Sequence, residues 1–241
     1  MIFQGKRVIF LNLTVFSWFM QIEFIESRRK EQYSLPDEFI KKLPKKIALF
    51  TTITYMDSLE NIKKQLENDD KEVLVLKTKH TKYKGQLLGC NIESWNGEDF
   101  DAFLYVGDGM FHPKALLLKN EKKVFVYNPL TEETKTLTVE DTDKWRKQEK
   151  SAYSVFLTSK KIGVLITTKF GQANLNKAKM LKKQFPEKKF YFLLDNTFDY
   201  SDIEDFNFIE CFVNTACPRI AYEDFEKFEK PVININNLLK E

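Results

Sequence analysis

Metal or nucleophile chemistry in this 241-residue chain could begin at three cysteines and two histidines: Cys90, Cys211, Cys217, His80 and His112. Cys90 ends the stretch GQLLGC (85–90), in which Gly85 and Gly89 signal turns. Thiolate is the ligand form of cysteine and suits zinc or iron–sulfur clusters, and flanking glycines let a Cys approach a bulky cluster without side-chain collision. Cys217 lies in VNTACPR (213–219), just beyond an apolar run. Cys90 and Cys217 are 127 residues apart and no C-x-x-C pair occurs, so spacing alone leaves ligation and simple burial as a small hydrophobe both open. Cys211, inside the apolar run, reads as packing. The glycines of Gly107-Asp108-Gly109 suit a tight turn as well as close approach to a ligand. His112, followed by Pro113, reads as a helix-start residue, and His80, within the basic run KTKHTKYK, as a solvated one.

The elements that must carry these residues form a repeating pattern. Lys46 to Thr52 (KIALFTT) is apolar without polar alternation, as a strand buried on both faces of a parallel sheet should be. Ser58 to Asn68 places Leu59, Ile62 and Leu66 at helical spacing. Further strands are expected at Glu72 to Lys77, Ala102 to Gly107 and Lys123 to Tyr127, with a long helix over Val139 to Ser159. The opening theme then returns: KIGVLITT at 161–168 echoes KIALFTT at an offset of 115 residues, and MLKKQFP echoes NIKKQLE at 119. This is an internal duplication of a strand–helix unit, continued by strands at Phe190 to Leu194, Ile209 to Asn214 and Val232 to Ile235. The fold class expected is α/β: two similar domains, each a small parallel sheet flanked by helices, over 46–160 (carrying Cys90) and 161–241 (carrying Cys217), preceded by an incomplete N-terminal segment. In open parallel sheets ligands gather beyond the carboxyl ends of the strands, which selects the loops at 107–109, 170–172 and 215–219.

Length agrees with two domains of roughly 100 residues each. With 43% hydrophobic and 14% aromatic residues the chain can bury apolar surface. A net charge of +3 gives no nucleic-acid footprint. An odd number of cysteines argues against a disulfide framework and for a reducing compartment, the cytoplasm. Lys6 and Arg7 precede the apolar stretch Val8 to Phe24, but Asn12, Thr14, Ser17 and Gln21 interrupt it, so a signal peptide or membrane anchor is not expected. Leu11, Leu13 and Val15 alternate with polar residues as a strand with one buried face would. Residues 1–45 therefore read as the remnant of a first domain plus a charged linker, with a short helix starting at Asp37.

GQLLGC, the strand running into GDGMFHP, TTKFGQ and VNTACPR occur in the order seen in archaeal and eukaryotic diphthamide synthases, and EKPVININNLL is similar to that family's closing strand. The resemblance covers roughly Phe24 to Leu239. It implies the second and third of three α/β domains, each giving one Cys to a single 4Fe-4S cluster, with Cys90 and Cys217 matching the second and third ligands. It further implies S-adenosylmethionine bound at the open iron, radical transfer of its 3-amino-3-carboxypropyl group to a histidine of translation elongation factor 2, and Gly107, Gly109, His112, Gly171, Gln172 and Arg219 as residues lining the cofactor site.

The chain departs from the pattern in lacking a Cys before Cys90. A partner chain supplying the first domain and the third thiolate, in a homo- or hetero-oligomer, would complete the site. A non-catalytic paralogue that presents a catalytic subunit, a start lying further upstream, or a generic two-domain binder of a small metabolite would each also account for the departure. Neither a membrane nor direct nucleic-acid binding is expected.

Overall fold

The computed structural model describes residues 25–90 and 92–239. The strand expected within residues 1–24 lies outside the described residues. From Asp37 the chain forms α1 (Asp37–Ile40), β1 (Lys46–Thr51), a 3-10 turn at Ile53–Ser58, α2 (Leu59–Asn68), β2 (Glu72–Leu74) and β3 (Ala102–Val106). It continues with α3 (Phe111–Leu117), β4 (Val124–Tyr127), β5 (Thr134–Leu137) and α4 (Asp143–Thr158). The second half runs β6 (Lys161–Thr167), α5 (Leu175–Gln184), β7 (Lys189–Asp195), α6 (Tyr200–Glu204), β8 (Cys211–Asn214), α7 (Arg219–Tyr222) and β9 (Val232–Asn234).

Two sheets result, ordered β2-β1-β3-β4-β5 and β7-β6-β8-β9. The duplicated sequence is thus a duplicated topology, with the first and sixth strands each central and each flanked by the strand that follows it and the one after that. Register follows the repeat: Ile47 pairs with Ala102, and Ile162 with Cys211. Cys211 therefore occupies the place of Ala102 at the start of a buried strand. All pairings are parallel except that of β5, which runs antiparallel to β4. No strand is expected there from the sequence. The connection closes tightly, with Asn128 N–H donating to Glu133 O and Glu132 N–H to Asn128 O, and Glu132 in the left-handed region at φ 58°. An antiparallel strand at the edge of a parallel sheet leaves its outer face wet, and only Leu137 of β5 is buried.

Both faces of β1 are covered. Ala48 and Phe50 join Phe103, Tyr105 and Leu116 on one side, and Ile47 and Leu49 join Ile62 and Leu66 of α2 on the other. Leu35, Phe39, Ile40 and Leu43 enter this second cluster, so the segment expected as a linker is part of the core. The long helix expected at 139–159 is α4, preceded by one 3-10 turn. Its Ala152 and Phe156 pack with Ile162, Val164 and Val213 of the second sheet. The apolar stripe that closes the first half in sequence thus belongs to the second core in space.

Gly163 stands where the first copy has Ala48, because in β6 an added Cβ would lie 2.6 Å from Cδ1 of Phe212. Gly163→Ala is expected to lower unfolding stability by about 1–3 kcal/mol through overpacking, as read from urea melts, whereas Ala48→Gly should cost only about 1 kcal/mol.

Candidate functional site

Cys90 reaches the carboxyl end of the first sheet by an extension of β1. Thr51 N–H donates to Gly85 O and Leu87 N–H to Thr51 O, both at 2.8 Å, so 85–87 runs parallel beside the end of β1. Gly85 makes the preceding turn at φ 75°, and Leu87 anchors the segment in the core. Gly89 then passes against the ring of Phe111, where a Cβ would overlap Cε1. Cys90 emerges exposed. Protein bulk behind it, and the neighbouring Cys217 thiol, raise its pKa above the ordinary value.

Cys217 follows β8 on a loop pinned by buried amides. Asn214 Nδ2 donates to Cys217 O (2.9 Å) and to Asn234 Oδ1 (2.7 Å), while Asn214 Oδ1 accepts from Ala216 N–H (3.0 Å). Asn234 Nδ2 donates to Pro218 O at 3.1 Å. Thr215 Oγ1 donates to Leu165 O at 2.8 Å, and Asn174 Nδ2 to Thr215 O at 2.9 Å, tying in the loop that holds Gly171 and Gln172. Sequence reasoning missed Asn214, Thr215 and Asn234; three polar residues at the ends of otherwise apolar strands were the available signal.

Two crevices adjoin the thiols. One, of about 300 Å³, lies beyond β6 and β8 and is lined by Thr167, Lys169, Gln172, Cys217 and Arg219 among others. This is where the strand order reverses direction, the expected place for a ligand. The other, about 560 Å³, has Cys90, Pro218 and Tyr222 on its wall together with Lys79, His80, Lys119 and Lys177. The loop read as solvated thus borders the Cys90 side.

Of the remaining expected residues, Gln172 and Arg219 share the smaller crevice with Cys217. Arg219 opens α7, hydrogen-bonds Glu223 through Nε at 2.7 Å and sets its guanidinium over the Phe111 ring at 4.8 Å. His112 is the second residue of α3, stacked on Tyr105 at 6.1 Å and 10°. Burial, and then the charge of Arg219, lower its pKa, keeping the imidazole neutral. Gly107 lies against the Tyr105 hydroxyl, 2.7 Å from where its Cβ would be, and Gly109 and Gly171 adopt φ 72° and 77°. Gly107, Gly109 and Gly171 line neither of these two crevices.

Cys211 is separate. It is fully buried in β8 among Ile162, Val164 and Ile233, and burial pushes its pKa up to about 12. Iodoacetamide under native conditions is therefore expected to alkylate Cys90 and Cys217 and to spare Cys211 until the protein unfolds; peptide mass mapping checks this. Among the described residues no group of three His, Cys, Asp or Glu side chains is placed to hold a metal. The two converging thiols fit part of a cluster's ligand set, and a third donor is not among them. Nor is any helix among the described residues long and apolar enough to cross a membrane.

Comparison with known proteins gives concordant matches. The profile of a family described as "Putative diphthamide synthesis protein" matches residues 19–239. The 2-(3-amino-3-carboxypropyl)histidine synthase of Pyrococcus horikoshii is 32% identical over 201 residues, covering 80% of this chain and 56% of that protein. The enzyme of that name from Methanocaldococcus jannaschii is 29% identical, covering 94% and 62%. Subunit 1 of the Saccharomyces cerevisiae synthase is 30% identical, covering 82% and 49%. The crystal structure of Dph2 from Pyrococcus horikoshii with a 4Fe-4S cluster superposes with a TM-score of 0.71 at 29% identity, covering 83% of this chain and 57% of that one. The chain thus spans about half to three-fifths of the length of these relatives.

Proposed function

Since the chain belongs to the diphthamide-synthesis protein family, we propose that it forms part of a 2-(3-amino-3-carboxypropyl)histidine synthase in which Cys90 and Cys217 supply two thiolate ligands of a 4Fe-4S cluster. The observation that carries this reading is that Cys90 and Pro218, the neighbour of Cys217, wall one crevice from loops of two different sheets, each loop fixed by its own buried contacts. The third ligand comes from a further domain or a partner chain, and the cytoplasm provides the reducing setting that free thiols need. Such a cluster, held in part by Cys90 and Cys217, would supply one electron for cleavage of the sulfur–Cγ bond of S-adenosylmethionine, the nucleoside thioether leaving and the 3-amino-3-carboxypropyl group bonding to C2 of a histidine imidazole of translation elongation factor 2, which gives up its hydrogen as a proton and an electron.

This chain's own groups prepare that chemistry. With its pKa raised, Cys90 stays protonated at neutral pH until metal arrives, so ligation releases its proton. Lys169 brings positive charge to the crevice beside Cys217, where Arg219 is already paired with Glu223 and Asp224 also lines the wall, and this lysine suits the carboxylate of the aminocarboxypropyl group. Gln172 adds an amide donor and acceptor at the same wall. His112, held neutral beside Arg219 and stacked on Tyr105, adds no second positive charge.

Iron and sulfide content and the visible spectrum, measured after anaerobic reconstitution of the chain alone and with a copurifying partner, test the proposal. A cluster formed with the partner supports it, and no iron under either condition overturns it. One observation favours a second reading, a non-catalytic subunit that presents a catalytic partner: the described residues hold two converging thiols and no third donor. Unchanged activity of the assembly after Cys90→Ala and Cys217→Ala together would select that reading.

A further inference from the structure

One ring touches both thiol-bearing loops. Phe111, the first residue of α3, is 6% exposed. Against it lies Gly89, the residue before Cys90, so close that any Cβ there would overlap the ring. Arg219, two residues beyond Cys217, places its guanidinium carbon 4.8 Å from the ring centroid. Trp145 of α4 packs at 5.7 Å and 52°, and Trp145 rests in turn on Tyr222 at 5.5 Å. The Tyr222 hydroxyl donates to Glu149 Oε2 at 2.9 Å. Phe111, Trp145 and Tyr222 make a small core of their own, and α4 is anchored further along by Ala152 and Phe156 in the second sheet's core. Phe111 is therefore rooted in the helix that follows β3 and braced by a helix fixed to the second sheet.

We propose that Phe111 is a positioning residue, a rigid spacer that sets the separation of Cys90 and Cys217. The inference rests on the reading of these two thiolates as ligands of one centre. An aromatic ring makes a good spacer because it has two side-chain torsions, no titrating atom, and a face that attracts a guanidinium. Gly89 is then required because only a residue without Cβ lets the Cys90 loop lie on the ring.

If Phe111 merely filled the joint between the sheets, any comparable loss there would act alike. Trp145, one ring further back, is the internal control. The probe is dibromobimane, which becomes fluorescent once two thiolates have each displaced a bromide from it, applied to the metal-free chain in a Cys211→Ala background. Phe111→Ala should slow Cys90–Cys217 cross-linking about tenfold, with single alkylation of each thiol by iodoacetamide unchanged. Phe111→Leu should recover most of the rate, and Trp145→Ala, which removes the brace and leaves the ring itself in place, should slow cross-linking clearly less than Phe111→Ala does. Cross-linking of Phe111→Ala at the parent rate, equal slowing in Trp145→Ala, or no cross-linking in the parent would each overturn the proposal. Where Phe111→Ala does not fold, Gly89→Ala and the surface change Arg219→Gln disturb the same ring from either side, and an unchanged rate in both is equally fatal. The assay uses no iron. A chain that cross-links as expected yet takes up no iron with its partner would refute the cluster and leave the spacer standing.

Discussion

Replacing Cys90 or Cys217 by Ala is expected to cut iron retention by the reconstituted assembly at least about a hundredfold, with carboxypropyl transfer lost in step. The size follows from comparison: removing a partner that merely orients a metal ligand costs about 10–100-fold in affinity, and here a ligand itself is removed. Each thiol sits on a separate sheet, so neither can take over for the other by a local shift. Cys211→Ala is the matched control. Its sulfur is enclosed in the second core, and the change should cost about 1 kcal/mol of stability while iron uptake is unaffected. Iron and sulfide assays on the three variants, read beside their thermal melts, check both halves. Iron uptake in Cys217→Ala equal to that of the parent would remove Cys217 from the centre.

The second large effect is expected at Asn214, which touches no candidate ligand side chain. Its amide makes three hydrogen bonds, to Cys217 O, Asn234 Oδ1 and Ala216 N–H, and is buried with Asn234. Asn214→Leu keeps the volume and strands all three partners. At about 1–3 kcal/mol for a buried polar group left unsatisfied, and with Asn234 able to turn toward only some of the gap, a loss of about 3 kcal/mol is expected by urea unfolding. A readout specific to the loop separates this from general weakening: alkylation of Cys217 should accelerate while that of Cys90 stays as it was. Equal acceleration at both thiols would mean that the network supports the whole second sheet and does not pin the Cys217 loop in particular.

Much of this was legible along the chain. The echo of KIALFTT in KIGVLITT fixed two copies of one strand–helix unit, and the copies fold with the same strand order. The apolar setting of Cys211 marked it as packing, because a run without polar alternation leaves no exposed face for a ligand. The TTKFGQ and VNTACPR loops sit at strand ends in the sequence, and in space Gln172, Cys217 and Arg219 share one crevice. Other features were not legible. The strand β5 is short and mostly exposed, so no hydrophobic period announces it. Leu35, Phe39, Ile40 and Leu43 sit among charges and prolines that suggest a linker, and only their packing against β1 and α2 makes them core. The apolar stripe of α4 declares that the helix is buried on one side, but nothing local says against which sheet.

Local period and repetition were enough to set the two βα copies, their parallel strands, and which thiols stand at loops and which inside a strand. Only packing in three dimensions brings Cys90 and Pro218 to one crevice wall, sets Phe111 against both Gly89 and Arg219, and lets Asn214 and Asn234 hold the Cys217 loop in shape. The reason is physical. Periodicity records which side of an element meets apolar surroundings, whereas the meeting of two thiols depends on how whole sheets are packed against each other, and that geometry is written in no single stretch of chain.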